Sequence, residues 1–113
     1  MQWGGREKVV EYEAVDGRSP FARWFNDLDP TAAAKVAVAI ARVAAGNVSN
    51  VKGVGEGVLE QKVDFGPGYR IYFGRDGDRL VVLVGGGTKR RQQTDIVDAI
   101  TRWRDYKTRK TGG

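Results

Sequence analysis

Hydrophobic residues are spaced differently along this chain, and each spacing predicts a different element. Residues 8–14 (KVVEYEA) are short and rich in Val and Tyr, which predicts an opening strand. Ser19-Pro20 then reads as a helix start, with Ser as N-cap and Pro at the first helical position. Phe21, Trp24, Phe25 and Leu28 follow at one-face helical spacing. Asp29-Pro30 repeats the start signal for a longer Ala-rich helix that stops near Gly46-Asn47, with Val36, Ile40 and Val43 on its buried stripe. Two helices with almost no linker predict a helical hairpin lying against a sheet.

Further along, the period changes to that of strands. Residues 58–65, 69–75 and 79–84 predict three antiparallel strands, joined by Gly66-Pro67-Gly68 and by the hairpin signal Asp76-Gly77-Asp78. The LVVLV run predicts a central strand buried on both faces. Residues 93–107 predict a closing helix with Ile96, Val97, Ile100 and Trp103 or Tyr106 inward and a basic end suited to the helix dipole. Residues 1–5 and 108–113 are expected to fray. Residues 46–57 (GNVSNVKGVGEG), with four glycines, read as a loop. That loop is either a plain connector, the favoured reading, or a flap carrying Lys52 and Glu56 to a ligand. Its alternating glycines have no strand-to-helix context and make no nucleotide loop. The expectation is one α+β domain, β-α-α-β-β-β-α, with a twisted antiparallel sheet and helices packed on it.

Composition narrows the chemistry. At 113 residues, 41% hydrophobic and 29% charged, the chain is sized for one globular core. A formal charge of +5 favours a polyanionic partner. Cysteine is absent, so there is no disulfide framework and no thiolate chemistry, which suits a reducing cytoplasm. No apolar run approaches the roughly 18 residues of a membrane span. Histidine is absent as well, so the usual general base and the commonest metal ligand are both missing. The acidic residues are scattered without ligand-like spacing, and no metal or cofactor is expected.

Strand alternation sorts the remaining candidates by face. Glu60, Lys62 and Asp64 share one side of their strand, and Arg70 and Tyr72 share one side of the next. Pairing across the turn could bring Glu60, Lys62, Arg70 and Tyr72 onto one polar face beside Lys89, Arg90 and Arg91. The alternative is a solvated face of cross-strand ion pairs. The basic segment follows Gly85-Gly86-Gly87, and a glycine-loosened strand end beside cations suits a phosphate-rich ligand. Such a cluster can cleave RNA without metal or histidine, because RNA carries its own nucleophile. A base must take the 2′-hydroxyl proton, cations must neutralise the phosphorane, and an acid must protonate the 5′-oxygen. Glu60 or Lys62 could be the base, Lys89 or Tyr72 the acid, and Arg70 with Arg90 would hold the phosphate. Lys52 and Arg91 are further RNA-binding candidates, and Tyr72 is the aromatic expected to stack on a base.

The element order, with DFGPGYRIYF, LVVLVGGGTK and a closing DI…RW helix, resembles RelE/HigB-type toxins of bacterial type II toxin–antitoxin modules. The resemblance covers about residues 8–107 of the chain and extends to the RelE/ParE superfamily's addiction module killer branch. It implies a metal-independent endoribonuclease that enters the ribosomal A site, cleaves mRNA and inhibits translation. It also implies a cognate antitoxin, a small helix-turn-helix DNA-binding protein. By this resemblance Arg70 is the transition-state arginine, Lys62 the basic residue of the preceding strand, and Lys89 and Arg90 the basic pair after the last strand. The chain departs from the pattern where Glu60 replaces a second lysine and Ile96 replaces the helix tyrosine. Two other readings stay open: a ParE-like toxin that inhibits a topoisomerase, and a non-catalytic RNA- or partner-binding module.

Overall fold

The computed structural model describes residues 7–112, so the expectation for residues 1–5 lies outside the described residues. Five strands and three helices follow one another: β1 (Lys8–Glu11), α1 (Pro20–Asn26), α2 (Pro30–Ala44), β2 (Val51–Gly55), β3 (Val58–Val63), β4 (Tyr69–Asp76), β5 (Leu80–Thr88) and α3 (Gln92–Thr111). A single 3-10 turn, Lys89–Arg91, joins β5 to α3.

Both early helices start as their sequences require. Ser19 Oγ accepts the Ala22 N–H at 3.0 Å and Asp29 Oδ1 accepts the Ala32 N–H at 2.7 Å, each with Pro next in the chain. α2 stops where Gly46 takes φ +93° and the Asn47 N–H reaches back to the Arg42 carbonyl at 2.8 Å.

The strands form one sheet in the order β1-β5-β4-β3-β2. It is mixed rather than wholly antiparallel, because β1 lies parallel to β5 while the other pairs are antiparallel. Alternation along the central strands builds two cores. Val63, Ile71, Phe73, Val81 and Leu83 pack under α1 and α2, against Phe21, Val36, Ile40 and Val43. Val58, Tyr72, Val82 and Val84 face the other way, against Ala99 and Trp103 of α3. The LVVLV strand is thus covered on both faces, as its unbroken apolar run predicts.

Three expectations are corrected. Residues 51–55 are an edge strand rather than loop, with Lys52 opposite Glu60 in the ladder. Glycine's permissive backbone explains the miss: Gly53 and Gly55 pair with β3 in spite of low strand propensity. The closing helix runs on to Thr111 instead of fraying at residue 108, held by Tyr106 and Lys110 on Asp76. Finally, Gly85-Gly86-Gly87 lie inside β5 and are not a loosened strand end. Each is bare because a helix side chain fills the space a Cβ would take: Arg102 over Gly85, Trp24 over Gly86, Asp95 over Gly87. Among the described residues, no helix is long and apolar enough to cross a membrane.

Candidate functional site

The β3–β4 hairpin creates the site. Its register sets Lys62 opposite Arg70 and Glu60 opposite Tyr72, all on the α3 side of the sheet. The connecting turn needs Gly66 at φ +56° and Gly68 at φ +79°, and closes with the Gly68 N–H on the Phe65 carbonyl at 3.0 Å. The Gly68 carbonyl then accepts the Lys89 N–H at 2.8 Å, which ties the start of the 3-10 turn to the hairpin. These connections enclose an open cleft of about 440 Å³, lined by Lys62, Asp64, Phe65, Arg70 and Lys89 with the turn backbone. Lys62 Nζ lies 3.4 Å from Asp64 Oδ1, and both side chains are exposed. Three cations and one carboxylate therefore share the cleft, an arrangement that attracts a phosphodiester.

Arg70 is held from behind. It is only 6% exposed, and its Nε lies 3.7 Å from Oε1 of the equally buried Glu60. Lys52 Nζ approaches the same oxygen at 3.7 Å, while Gln92 at the start of α3 donates to Glu60 Oε2 at 2.8 Å. The Tyr72 hydroxyl is buried next to this carboxylate. Burial first, and the Glu60 charge second, raise its pKa well above that of a free phenol.

The structure thus brings Lys62, Arg70 and Lys89 into one cleft and sets the other candidates elsewhere. Glu60 is 2% exposed and faces Arg70, Lys52 and Gln92. The alternative reading, a solvated face of ion pairs, holds at the hairpin end, where exposed Lys62 pairs with Asp64, whereas Glu60, Arg70 and Tyr72 are buried. Tyr72 is wholly buried, which removes the surface a base would stack on. Lys52 sits on the edge strand and pairs with Glu60, and Glu56 pairs with Arg104 of α3, so no flap brings these two residues to the cleft. Arg90 is exposed on the 3-10 turn. Arg91, one residue on, lines a different cleft between α1 and α3. Ile96 packs in the core beneath α3.

Sequence reasoning missed Gln92, whose only signal is a polar residue in the first turn of a helix that crosses the sheet. It also missed Phe65, an aromatic that lines the cleft while packing against the core under α1 and α2.

Two comparisons bear on this chain. The sequence model of a family described as "Phage derived protein Gp49-like (DUF891)" matches residues 23–104, from within α1 to within α3. The span includes every side chain of the Lys62–Arg70–Lys89 cleft. A Haemophilus influenzae protein, described as uncharacterized, is 38% identical over 80 residues, which is 70% of this chain and 81% of that protein.

Proposed function

The chain belongs to the Gp49-like, phage-derived family, which is associated with toxin–antitoxin modules, and from that premise we propose that it is the toxin of such a module. The activity we assign to it is that of a RelE/HigB-type endoribonuclease, which cuts mRNA on the ribosome in the cytoplasm and is neutralised by a cognate antitoxin. The observation that carries this reading is the cross-strand pair Lys62–Arg70, set in one cleft with Lys89 by the Gly68–Lys89 bond.

The chemistry follows from what lines the cleft. The RNA 2′-hydroxyl oxygen attacks the adjacent phosphorus, the bond to the 5′-oxygen breaks, and a 2′,3′-cyclic phosphate and a 5′-hydroxyl result. The 2′-hydroxyl proton leaves to a base and the departing 5′-oxygen receives one. Arg70 and Lys89 neutralise the charge that builds on the phosphorane oxygens. With Glu60 and Tyr72 buried, the exposed Lys62–Asp64 pair is the group in the cleft able to accept and return a proton. Placement of the substrate by the ribosome supplies further rate, since orientation alone lowers barriers substantially.

Expression from a tightly repressed promoter, with mRNA 5′ ends mapped by primer extension, tests the reading. Growth arrest with new cuts inside translated frames, lost in Arg70→Ala, is the expected result. Arrest with DNA-damage signalling and intact mRNA would replace it with a ParE-like reading, and neither arrest nor cuts would leave a binding module.

A further inference from the structure

One short turn carries a gap between two cations at one end and an aromatic ring at the other. A Cβ at Gly68 would stand 3.6 Å from both Arg70 Nη1 and Lys89 Cβ, so the bare Cα marks the space between the two side chains that would hold a phosphate. Phe65 opens the same turn, and its carbonyl accepts the Gly68 N–H at 3.0 Å. The Cα atoms at the two ends of such a turn are less than about 7 Å apart, a step that one nucleotide spans. A nucleotide laid over the hairpin tip with its phosphate at Gly68 therefore has its base within reach of the ring.

The ring is seated but not enclosed. Phe65 packs against the core under α1 and α2, yet it is half-buried and lines the cleft. Over the ring lies Lys35 of α2, its Nζ 5.5 Å from the centroid, and that lysine is exposed. An ammonium on a flexible stem gives way to a flat ligand where packed core would not. A surface cation–π contact is also worth less than the stack of a base on an aromatic ring, so a base displaces the ammonium.

The pairing of ring and cations selects the ligand class. Inorganic phosphate or an acidic peptide would satisfy Lys62, Arg70 and Lys89 and leave the ring unused, whereas a nucleotide supplies an anion and a flat group together. A base inside a duplex has both faces stacked already, so only an unpaired one can use the ring. Among the described residues, Phe65 is the one aromatic lining the cleft, and Tyr72 is wholly buried.

We propose that Phe65 is the platform on which an unpaired nucleobase stacks, next to the phosphate held by Arg70 and Lys89. The cleft then takes single-stranded RNA by a base as well as by its backbone. The inference rests on the RNA reading above and goes beyond it by moving to Phe65 the stacking role that the sequence suggests for Tyr72.

The full chain is to be titrated with a short single-stranded RNA carrying 2′-O-methyl groups, so that binding is read without cleavage, and with an abasic strand of equal length and charge. The abasic strand should bind about tenfold more weakly. Phe65→Leu keeps an apolar side chain against the core; it should lose about tenfold for the base-bearing strand and nothing for the abasic one. Phe65→Tyr should bind both strands as the unaltered chain does. Equal losses on the two strands in Phe65→Leu would make the ring structural and overturn the platform. An unaltered chain that binds both strands equally, or neither, would overturn it as well. A chain that cuts no mRNA yet shows the base-dependent loss would forfeit the nuclease reading and keep the platform. One that cuts mRNA without that loss would do the reverse.

Discussion

Glu60 Oε1 lies 3.7 Å from Arg70 Nε across adjacent strands, and neither side chain is more than 7% exposed. A buried ion pair adds little net stability, because desolvation offsets the attraction. Its value here is direction. Glu60, itself gripped by Gln92 at 2.8 Å, fixes one end of a guanidinium whose other end lines the cleft. On the proposed cleavage reading, this geometry suits Glu60 to positioning Arg70 rather than to taking a proton from the substrate.

Replacement of Glu60 by Gln separates these roles. Loss of a general base costs about 10²–10⁴-fold in rate, whereas Glu60→Gln should cost about tenfold or less and keep the shape of the pH–rate profile. Glu60→Ala, which leaves Arg70 unheld, should be worse than Gln. A hundredfold loss in Glu60→Gln together with a vanished acidic limb would restore Glu60 as the base.

Arg70→Ala should lower cleavage by about 10²–10³-fold, the usual cost of a lost charge-stabilising donor. Because Glu60 would then stay buried with its main partner gone, the same change should destabilise the fold by about 3 kcal/mol. Adding Glu60→Gln should recover much of that stability, read as the urea midpoint, and none of the cleavage. Arg70→Ala activity that returns with stability would make Arg70 a structural residue.

Salt gives an independent check on the first cleft. Three cations facing a single strand predict a log–log slope of RNA affinity against salt of about −2, and Lys89→Ala should reduce it by about 0.7. Lys52→Ala should leave the slope unchanged, because Lys52 faces Glu60 and lies outside the cleft. Equal effects of the two substitutions would mean that the binding surface is wider than this cleft.

The helices, the LVVLV strand and the hairpin register were legible because each has a local cause: a capping side chain, an unbroken apolar run, or a two-residue period. The pairing of Glu60 with Tyr72 and Lys62 with Arg70 follows from alternation alone. What alternation does not reveal is which face a later helix covers. α3 shares its N-terminal residue Gln92 with Glu60 and its Trp103 with the Tyr72 face, so a run of charged positions became an interior. The triple glycine misled for a related reason. A missing side chain signals a ligand or a close neighbour equally well, and the neighbours come from α1, far upstream (Trp24), and from α3, which folds back over β5 (Asp95 and Arg102).

Those neighbours predict graded costs for adding one methyl group. A Cβ at Gly74 would stand 2.5 Å from the Trp103 ring, and one at Gly86 would overlap the Trp24 ring. Gly74→Ala and Gly86→Ala should each destabilise by about 1–3 kcal/mol through overpacking. At Gly53 nothing lies within 4 Å of a new Cβ, so Gly53→Ala should be near neutral. Chemical denaturation of the three variants checks the order, and a neutral Gly86→Ala would mean that α1 shifts freely on β5.

The far half of α3 is held by titratable hooks, which set a pH range for its docking. Asp76 accepts from Tyr106 at 2.7 Å and also from Lys110, and Asp105 accepts from Tyr12 at 2.6 Å. For Asp76 the Lys110 bond, then the Tyr106 bond, lowers the carboxyl pKa below its ordinary 3.8; for Asp105 the Tyr12 bond does the same. A carboxyl whose pKa falls on folding contributes stability that is present above the unfolded value and lost as pH drops through the folded one. The phenols act with the opposite sign. Burial, then the Asp76 bond and charge, pushes Tyr106 up to about 12, so its contribution is complete below the unfolded value of 10.0 and is lost as pH rises from there through about 12. The melting temperature should therefore be flat from about pH 5 to 9 and fall at both extremes, with α3 amides the first to exchange. Tyr106→Phe should shrink the alkaline fall and, by removing a donor from Asp76, the acid one as well. An acid fall that is unchanged in both Tyr106→Phe and Asp76→Asn would assign the loss to groups other than these hooks.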